Sequence, residues 1–81
     1  MHAGRLESSD RLQRVLAVLR ANPEGLTTRE VTDLAGILAV SATMAELRQR
    51  LLPEGLTVRC DYVAKTRHGA RIYRYRLEEA S

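Results

Sequence analysis

Residues 26–51 read LTTREVTDLAGILAVSATMAELRQRL, and this stretch decides the fold because it predicts two short helices separated by a glycine. Thr27 is suited to be the N-cap of the first helix, since its hydroxyl can accept a hydrogen bond from the amide of Glu30. The Glu30 carboxylate can in turn accept from the amide of Thr27, which would complete a capping box. Gly36 follows the apolar residues of this helix, where a left-handed backbone ends a helix at the least cost.

Apolar residues recur at helical spacing on both sides of this glycine. The first helix has one apolar face, and the second has a stripe at spacings of four, three and four. Helices this short are not stable alone in water, so we expect the two to pack together as a helix-turn-helix. An ordinary helical hairpin is the alternative. The residues concerned are Val31, Leu34 and Ala35 in the first helix and Val40, Met44, Leu47 and Leu51 in the second.

A further helix is predicted before this pair. Ser9 or Asp10 can cap it, and it runs to about Ala21, after which residues 22–25 (NPEG) form a turn. Residues 1–8 are predicted to be a flexible lead. The buried stripe of the helix comprises Leu12, Val15, Leu16 and Leu19.

After residues 52–55 (LPEG) the apolar period changes from 3.6 to 2, which predicts two strands. Residues 56–65 form the first strand, residues 66–69 (TRHG) form a hairpin turn, and residues 70–77 form the second strand. Cys60 falls on the inner face and is expected to be a small buried hydrophobe. The inner face is expected to carry Leu56, Val58, Cys60, Tyr62 and Ala64 from the first strand and Tyr73, Tyr75 and Leu77 from the second.

These elements predict an α+β winged helix-turn-helix, with three helices followed by a two-stranded antiparallel β-hairpin as the wing. The domain is placed at residues 9–78 and a short tail at residues 79–81. A chain of 81 residues is long enough for one small core.

Positive charge is concentrated in the hairpin. Residues 56–77 contain six basic and one acidic residue, a net charge of +5, whereas residues 1–55 contain seven of each. Such a local excess is typical of a nucleic-acid contact. The alternative is a solvated strand pair whose arginines provide solubility and protect the strand edges.

Other classes of function find little support in the sequence. No apolar run approaches the ~20 residues of a membrane span, and residues 1–9 do not resemble a secretory signal. The single cysteine excludes an intrachain disulfide and fits a reducing cytoplasm. With only two histidines, no cofactor or metal site is expected. Neither a paired acid and base nor an activated nucleophile is evident, so we do not expect an enzyme.

The residues predicted to meet DNA lie on the second helix of the pair and at the hairpin tip. The helix offers small residues at its start and longer polar ones near its end, and Glu46 on the same face would repel phosphates unless an arginine pairs with it. The tip offers cations that can reach phosphates or a minor groove. The predicted set is Ser41, Thr43, Arg48, Gln49 and Arg50 on the helix and Lys65, Arg67, His68 and Arg71 at the tip.

Four segments resemble a family of small helix-turn-helix proteins found mostly in bacteriophages and prophages. They are residues 26–31 (LTTREV), 35–37 (AGI), 45–48 (AELR) and 68–77 (HGARIYRYRL). In that family a Glu-Leu-Arg sequence closes the recognition helix and an Arg-Tyr-Arg-Leu hairpin forms the wing. The chain departs from the family at residues 49–55, where the link between recognition helix and wing is longer.

Together these features predict a DNA-binding protein of phage or prophage type. It would bind double-stranded DNA in the cytoplasm of a bacterial host, either sequence-directed or architectural, in transcription regulation or recombination. The alternative is a winged-helix module that binds a host polymerase, nuclease or defence complex, suggested by the small, partly acidic helix face. A homodimer is also considered, through apolar residues such as Ile37, Leu38 and Leu52.

Overall fold

The computed structural model describes residues 10–80, which form a small α+β fold of three helices and one three-stranded antiparallel sheet. The predicted lead at residues 1–8 and the candidate cap Ser9 lie outside the described residues. The elements are α1 (Asp10–Ala21), β1 (Leu26–Thr27), α2 (Thr28–Ala35), α3 (Val40–Leu51), β2 (Leu56–Lys65) and β3 (Arg71–Glu79).

Both ends of α2 are formed as the sequence predicts. The amide of Glu30 donates to the Thr27 hydroxyl over 3.3 Å, and the amide of Thr27 donates to the Glu30 carboxylate over 2.8 Å. Gly36 ends the helix in the left-handed region, at φ +71°, and its amide donates to the carbonyl of Thr32. The capping box satisfies amides that have no partner within the helix, so it fixes where α2 begins.

The core lies between the three helices and the half of the hairpin that is farther from its turn. The predicted stripes of α1 and α3 are all buried in it, together with Leu26, Val58 and Tyr75 from the sheet. Leu34 is an exception: it was predicted to lie on the apolar face of α2 but is 57% exposed. Ile37, considered for a dimer patch, is buried in this core, whereas Leu38 and Leu52 are exposed.

The sheet has one strand more than the two predicted. β1 pairs with β3 through Leu26 opposite Tyr75 and Thr27 opposite Arg74, which gives the strand order β1-β3-β2. A strand of two residues has no alternation to detect, so the sequence pattern did not reveal it. The pairing of β1 with β3 holds the start of α2 next to the middle of β3.

Only the half of the hairpin that is farther from its turn packs on the helices; the half next to the turn is called the outer half. Val58 is buried, whereas Cys60, Tyr62 and Ala64 are exposed, which corrects the prediction that all five inner-face residues of β2 are buried. Since the alternation of a strand sets a face but not what covers it, the exposed outer half could not be distinguished from the buried half in the sequence.

A β-bulge reverses the faces near the end of β2. Tyr62 lies opposite Tyr73, but Ala64, not Val63, lies opposite Ile72, and Lys65 lies opposite Arg71. One extra residue moves every later side chain to the other face. Lys65 therefore shares a face with Arg71 and Tyr73, whereas strict alternation predicted it on the opposite one.

Candidate nucleic-acid interface

The hairpin turn brings together the four residues predicted at the tip, and all four are exposed. The amide of Thr66 donates to the carbonyl of Ala70 over 2.8 Å, and Gly69 takes a positive φ of +87°. Across residues 10–80, no carboxylate lies within ion-pair distance of the tip cations, which are Lys65, Arg67 and Arg71; His68 lies between the last two. We call these four residues the cationic tip.

Two other hairpin arginines are compensated by carboxylates. Arg59 lies opposite Arg76 in the sheet, and Asp61 and Glu78 lie on either side of this pair. Arg59 Nε donates to Asp61 over 2.8 Å, and Arg76 lies 3.8 Å from Asp61 and 3.7 Å from Glu78. The hydrogen bond from Arg59 to Asp61, with the charges of Asp61 and Glu78, raises the pKa of the Arg59 guanidinium. The excess charge of the hairpin is therefore concentrated toward its tip.

The outward side of α3 is open within the described part of the chain. Ser41, Ala42, Ala45 and Gln49 are all exposed there. Small side chains allow close approach of the helix to a ligand, and Gln49 is the exposed side chain of this arc that can pair with an adenine edge. Both Ser41 and Gln49 are thus positioned where the sequence analysis placed them.

Glu46, on the same side of α3, pairs with two arginines, one from α1 and one from α3. One carboxylate oxygen accepts from Arg11 of α1 and the other from Arg50, over 3.2 Å in the latter case. Because its charge is compensated by two arginines, the Glu46 carboxylate is not expected to repel phosphates. Arg50 was predicted to contact DNA, but its guanidinium is directed to Glu46 and is only partly exposed.

Arg48 and Thr43 are engaged by the protein itself: Arg48 is partly buried and Thr43 is fully buried. Arg48 Nε donates to the carbonyl oxygen of Val58 over 2.7 Å, so this side chain joins α3 to β2. Thr43 has no exposed surface, which excludes the contact with DNA that the sequence predicted. Thr43 lies next to Met44 on the buried side of α3, where the two residues together widen the buried stripe.

Two contacts fix the direction of α3 along the hairpin. Near its start the Ser41 hydroxyl lies 3.4 Å from the Tyr75 hydroxyl, and near its end Arg48 contacts Val58. Tyr75 lies opposite Cys60, which is nearer the tip than Val58 is. The N-terminal end of α3 is therefore the end closer to the tip. The tip lies five strand residues beyond Cys60, or roughly 16 Å at ~3.3 Å per residue.

An open cleft of about 450 Å³ lies between the start of α2 and the outer half of the hairpin. Sequence analysis missed it because its two sides are far apart in the chain and are brought together by the pairing of β1 with β3. Its walls include Thr28 and Arg29 from α2, and Thr66, Arg71, Ile72 and Tyr73 from the hairpin.

Two tyrosines form an aromatic contact next to this cleft. The rings of Tyr62 and Tyr73 meet edge to face, with centroids 5.9 Å apart and planes at 71°. Tyr62 is 56% exposed and Tyr73 is half-buried, although both were expected to be inside the core. Of the three tyrosines, Tyr75 alone is in the core.

Neither a metal site nor a membrane span stands out in residues 10–80. No three His, Cys, Asp or Glu side chains in this part of the chain are grouped closely enough to hold a metal ion. None of the helices described there has the length and apolarity required to cross a bilayer.

Comparison with known proteins gave no match. No family model, curated protein or solved structure was found to be similar to this chain.

Proposed function

We propose that this protein binds double-stranded DNA in the manner of a winged helix, with α3 as the recognition helix and the hairpin as the wing. The observation that carries the proposal is the cationic tip, whose three charges have no ion pair with any carboxylate of residues 10–80 and lie at the end of the hairpin nearest the start of α3. Uncompensated cations are free to pair with phosphates, whereas paired ones must first lose their partners.

The two parts of this surface have different tasks. Lys65, Arg67 and Arg71 contact phosphates or enter a minor groove, which provides affinity for any sequence. α3 enters the major groove, where Ser41 and the small residues allow close approach and Gln49 reads a base. With so few base-reading side chains, either a modest sequence preference or an architectural role fits this surface.

The biological role that we propose follows the resemblance of the sequence to phage and prophage helix-turn-helix proteins. The protein acts on DNA in the cytoplasm of a bacterial host, in transcription regulation or in recombination. The three-stranded sheet of order β1-β3-β2 and the three helices are compatible with such a winged fold.

Binding to a labelled duplex of random sequence, measured at low and then at increasing salt, tests the proposal. We expect binding at low salt that weakens steeply as salt is added, because phosphate contacts release counterions from the DNA. If no complex forms at low salt, the DNA-binding proposal is wrong.

A second function, binding to a host protein, is favoured by the outward side of α3. Ala42 and Ala45 are apolar, and Glu46 is paired with Arg11 and Arg50, so this side has little free charge to attract DNA. A pull-down from host lysate treated with nuclease distinguishes the two functions. Loss of every co-purifying protein after nuclease treatment would contradict this alternative.

A further inference from the structure

The cleft between α2 and the hairpin combines chemical groups that a double helix does not need. Tyr73 and Ile72 of β3 both line the cleft, and Tyr73, on the same face of the strand as Arg71, provides an aromatic ring. Arg29 and Arg71 provide two positive charges in the same cleft. Phosphates of a duplex require only the charges, because its bases are stacked on one another and do not expose a ring face.

The aromatic side chain is held in position by its neighbour. Tyr62 contacts Tyr73 edge to face from the adjacent strand, and the bulge at Val63 follows directly. Because Tyr62 does not line the cleft, it can restrict the ring of Tyr73 without filling the space beside it. An edge-to-face contact of this kind stabilises the position of the Tyr73 ring.

The charged and polar groups of the cleft are also available to a ligand. Arg71 has no ion pair among residues 10–80, and Arg29 makes only a solvent-exposed ion pair with Asp33, at 4.0 Å, which a phosphate can replace. The Thr66 hydroxyl accepts from the amides of His68 and Ala70, so its own proton remains to be donated. The two arginines can neutralise one phosphate, and the Thr66 hydroxyl can donate a hydrogen bond to a neighbouring oxygen of the same ligand.

We propose that this cleft binds one unpaired nucleotide of a DNA strand, with its base against Tyr73 and its phosphate between Arg29 and Arg71. The cleft volume of about 450 Å³ is sufficient for a nucleotide. This inference rests on the proposed DNA binding and extends it, since it makes a duplex with a single-stranded overhang or a gap a better ligand than a fully paired duplex.

Three labelled DNA molecules with the same duplex test the proposal. The first is blunt, the second carries a short single-stranded overhang, and the third carries an overhang of equal length made of abasic nucleotides. The last two have the same number of phosphates, so a difference between them measures the contribution of the bases. We expect the base-bearing overhang to bind about tenfold more tightly than the abasic one, as is typical of stacking on one aromatic side chain.

Variants assign this difference to the cleft. Tyr73→Ala should remove the preference for bases and leave binding of the blunt duplex within about twofold. Arg29→Ala should weaken binding of both overhangs, and its side chain is 91% exposed, so the fold does not depend on it. Arg20→Ala, which removes an exposed arginine outside the cleft, is the matched control for charge.

The two proposals fail in different ways. If blunt DNA binds but the base-bearing and abasic overhangs bind equally, the cleft does not recognise an unpaired nucleotide, while the DNA-binding proposal stands. If none of the three DNA molecules binds at low salt, the DNA-binding proposal fails first. Free deoxyadenosine monophosphate, added at the same concentration as the DNA with the base-bearing overhang, should not displace that DNA from the protein. Displacement would contradict recognition of a nucleotide within a strand.

Discussion

Arg48 Nε donates a 2.7 Å hydrogen bond to the carbonyl oxygen of Val58. This contact joins the last turns of α3 to the part of β2 that enters the core, where Val58 is buried. β2 is an edge strand of the sheet, and this carbonyl oxygen accepts from a charged side chain of α3. The bond therefore orients the hairpin relative to α3, and hence the tip relative to the helix surface proposed to bind DNA.

Arg48→Ala should lower the free energy of unfolding by about 1–2 kcal/mol. The reason is that a hydrogen bond from a charged donor is lost and a partly buried carbonyl is left without that donor. Urea denaturation measures the change. Arg20→Ala, on the exposed side of α1, is the control and should change stability by at most about 0.5 kcal/mol. Equal effects of the two substitutions would contradict a structural role for Arg48.

Thr43→Val should stabilise the protein by about 1 kcal/mol. The Thr43 hydroxyl is fully buried and has no hydrogen-bond partner among the described residues, so replacing it with a methyl group of similar size removes an unsatisfied polar atom. The thermal midpoint should rise and DNA affinity should stay unchanged. A loss of affinity in a variant that remains folded would restore Thr43 to the DNA-contacting set.

Gly25→Ala should be more destabilising than Gly69→Ala. Both glycines have positive φ, +103° and +87°, so each substitution introduces backbone strain of about 1 kcal/mol or more. At Gly25 an added Cβ would also lie 2.6 Å from the Arg74 side chain and 3.2 Å from the Tyr75 carbonyl oxygen, whereas at Gly69 the space is open. We expect about 2 kcal/mol or more for Gly25→Ala by urea denaturation, and similar losses at both positions would contradict the close approach.

The parts of the fold that sequence reasoning predicted well depend on local physics. The capping box of Thr27 and Glu30 and the stop at Gly36 involve residues within one or two turns of each other, so their chemistry can be read directly. The buried stripe of α3 follows from helical periodicity in the same way. The turn at residues 66–69 is another local feature, because few residues other than glycine accept the φ of Gly69.

The parts that sequence reasoning missed depend on contacts between distant segments. β1 exists because Leu26 and Thr27 meet β3, and the cleft exists because that pairing places the start of α2 beside Ile72 and Tyr73. The bulge at Val63 leaves the apolar alternation intact in sequence while reversing the faces of Ala64 and Lys65. No pattern within a single strand distinguishes these outcomes, because each is decided by the partner.

The same dependence on partners applies to the charged residues. Residues 56–77 suggested one uniform basic segment, but Asp61 of β2 and Glu78 of β3 lie on either side of the Arg59–Arg76 pair and compensate both arginines. The structure thus divides the arginines of the hairpin into paired and unpaired ones. Sequence alone could count them but could not make this division.

This division gives a test in which two substitutions remove the same formal charge from the same hairpin. Arg67→Ala removes a tip cation that has no ion pair in the described part of the chain. We expect the dependence of log affinity on log salt to become shallower by about one unit, as for one lost phosphate contact. Affinity should fall similarly for every DNA sequence, because phosphates carry no sequence information. Titrations at several salt concentrations, with fluorescence anisotropy as the readout, measure both quantities.

Arg76→Ala is the matched comparison, because Arg76 lies within 4 Å of Asp61 and Glu78 and its charge is already compensated. A compensated cation releases few counterions when DNA binds, so the salt dependence should remain close to that of the unmodified protein. If Arg76→Ala changes the salt dependence as much as Arg67→Ala does, net charge and not the cationic tip determines binding. The DNA would then contact the hairpin along its length, and the tip would have no special role.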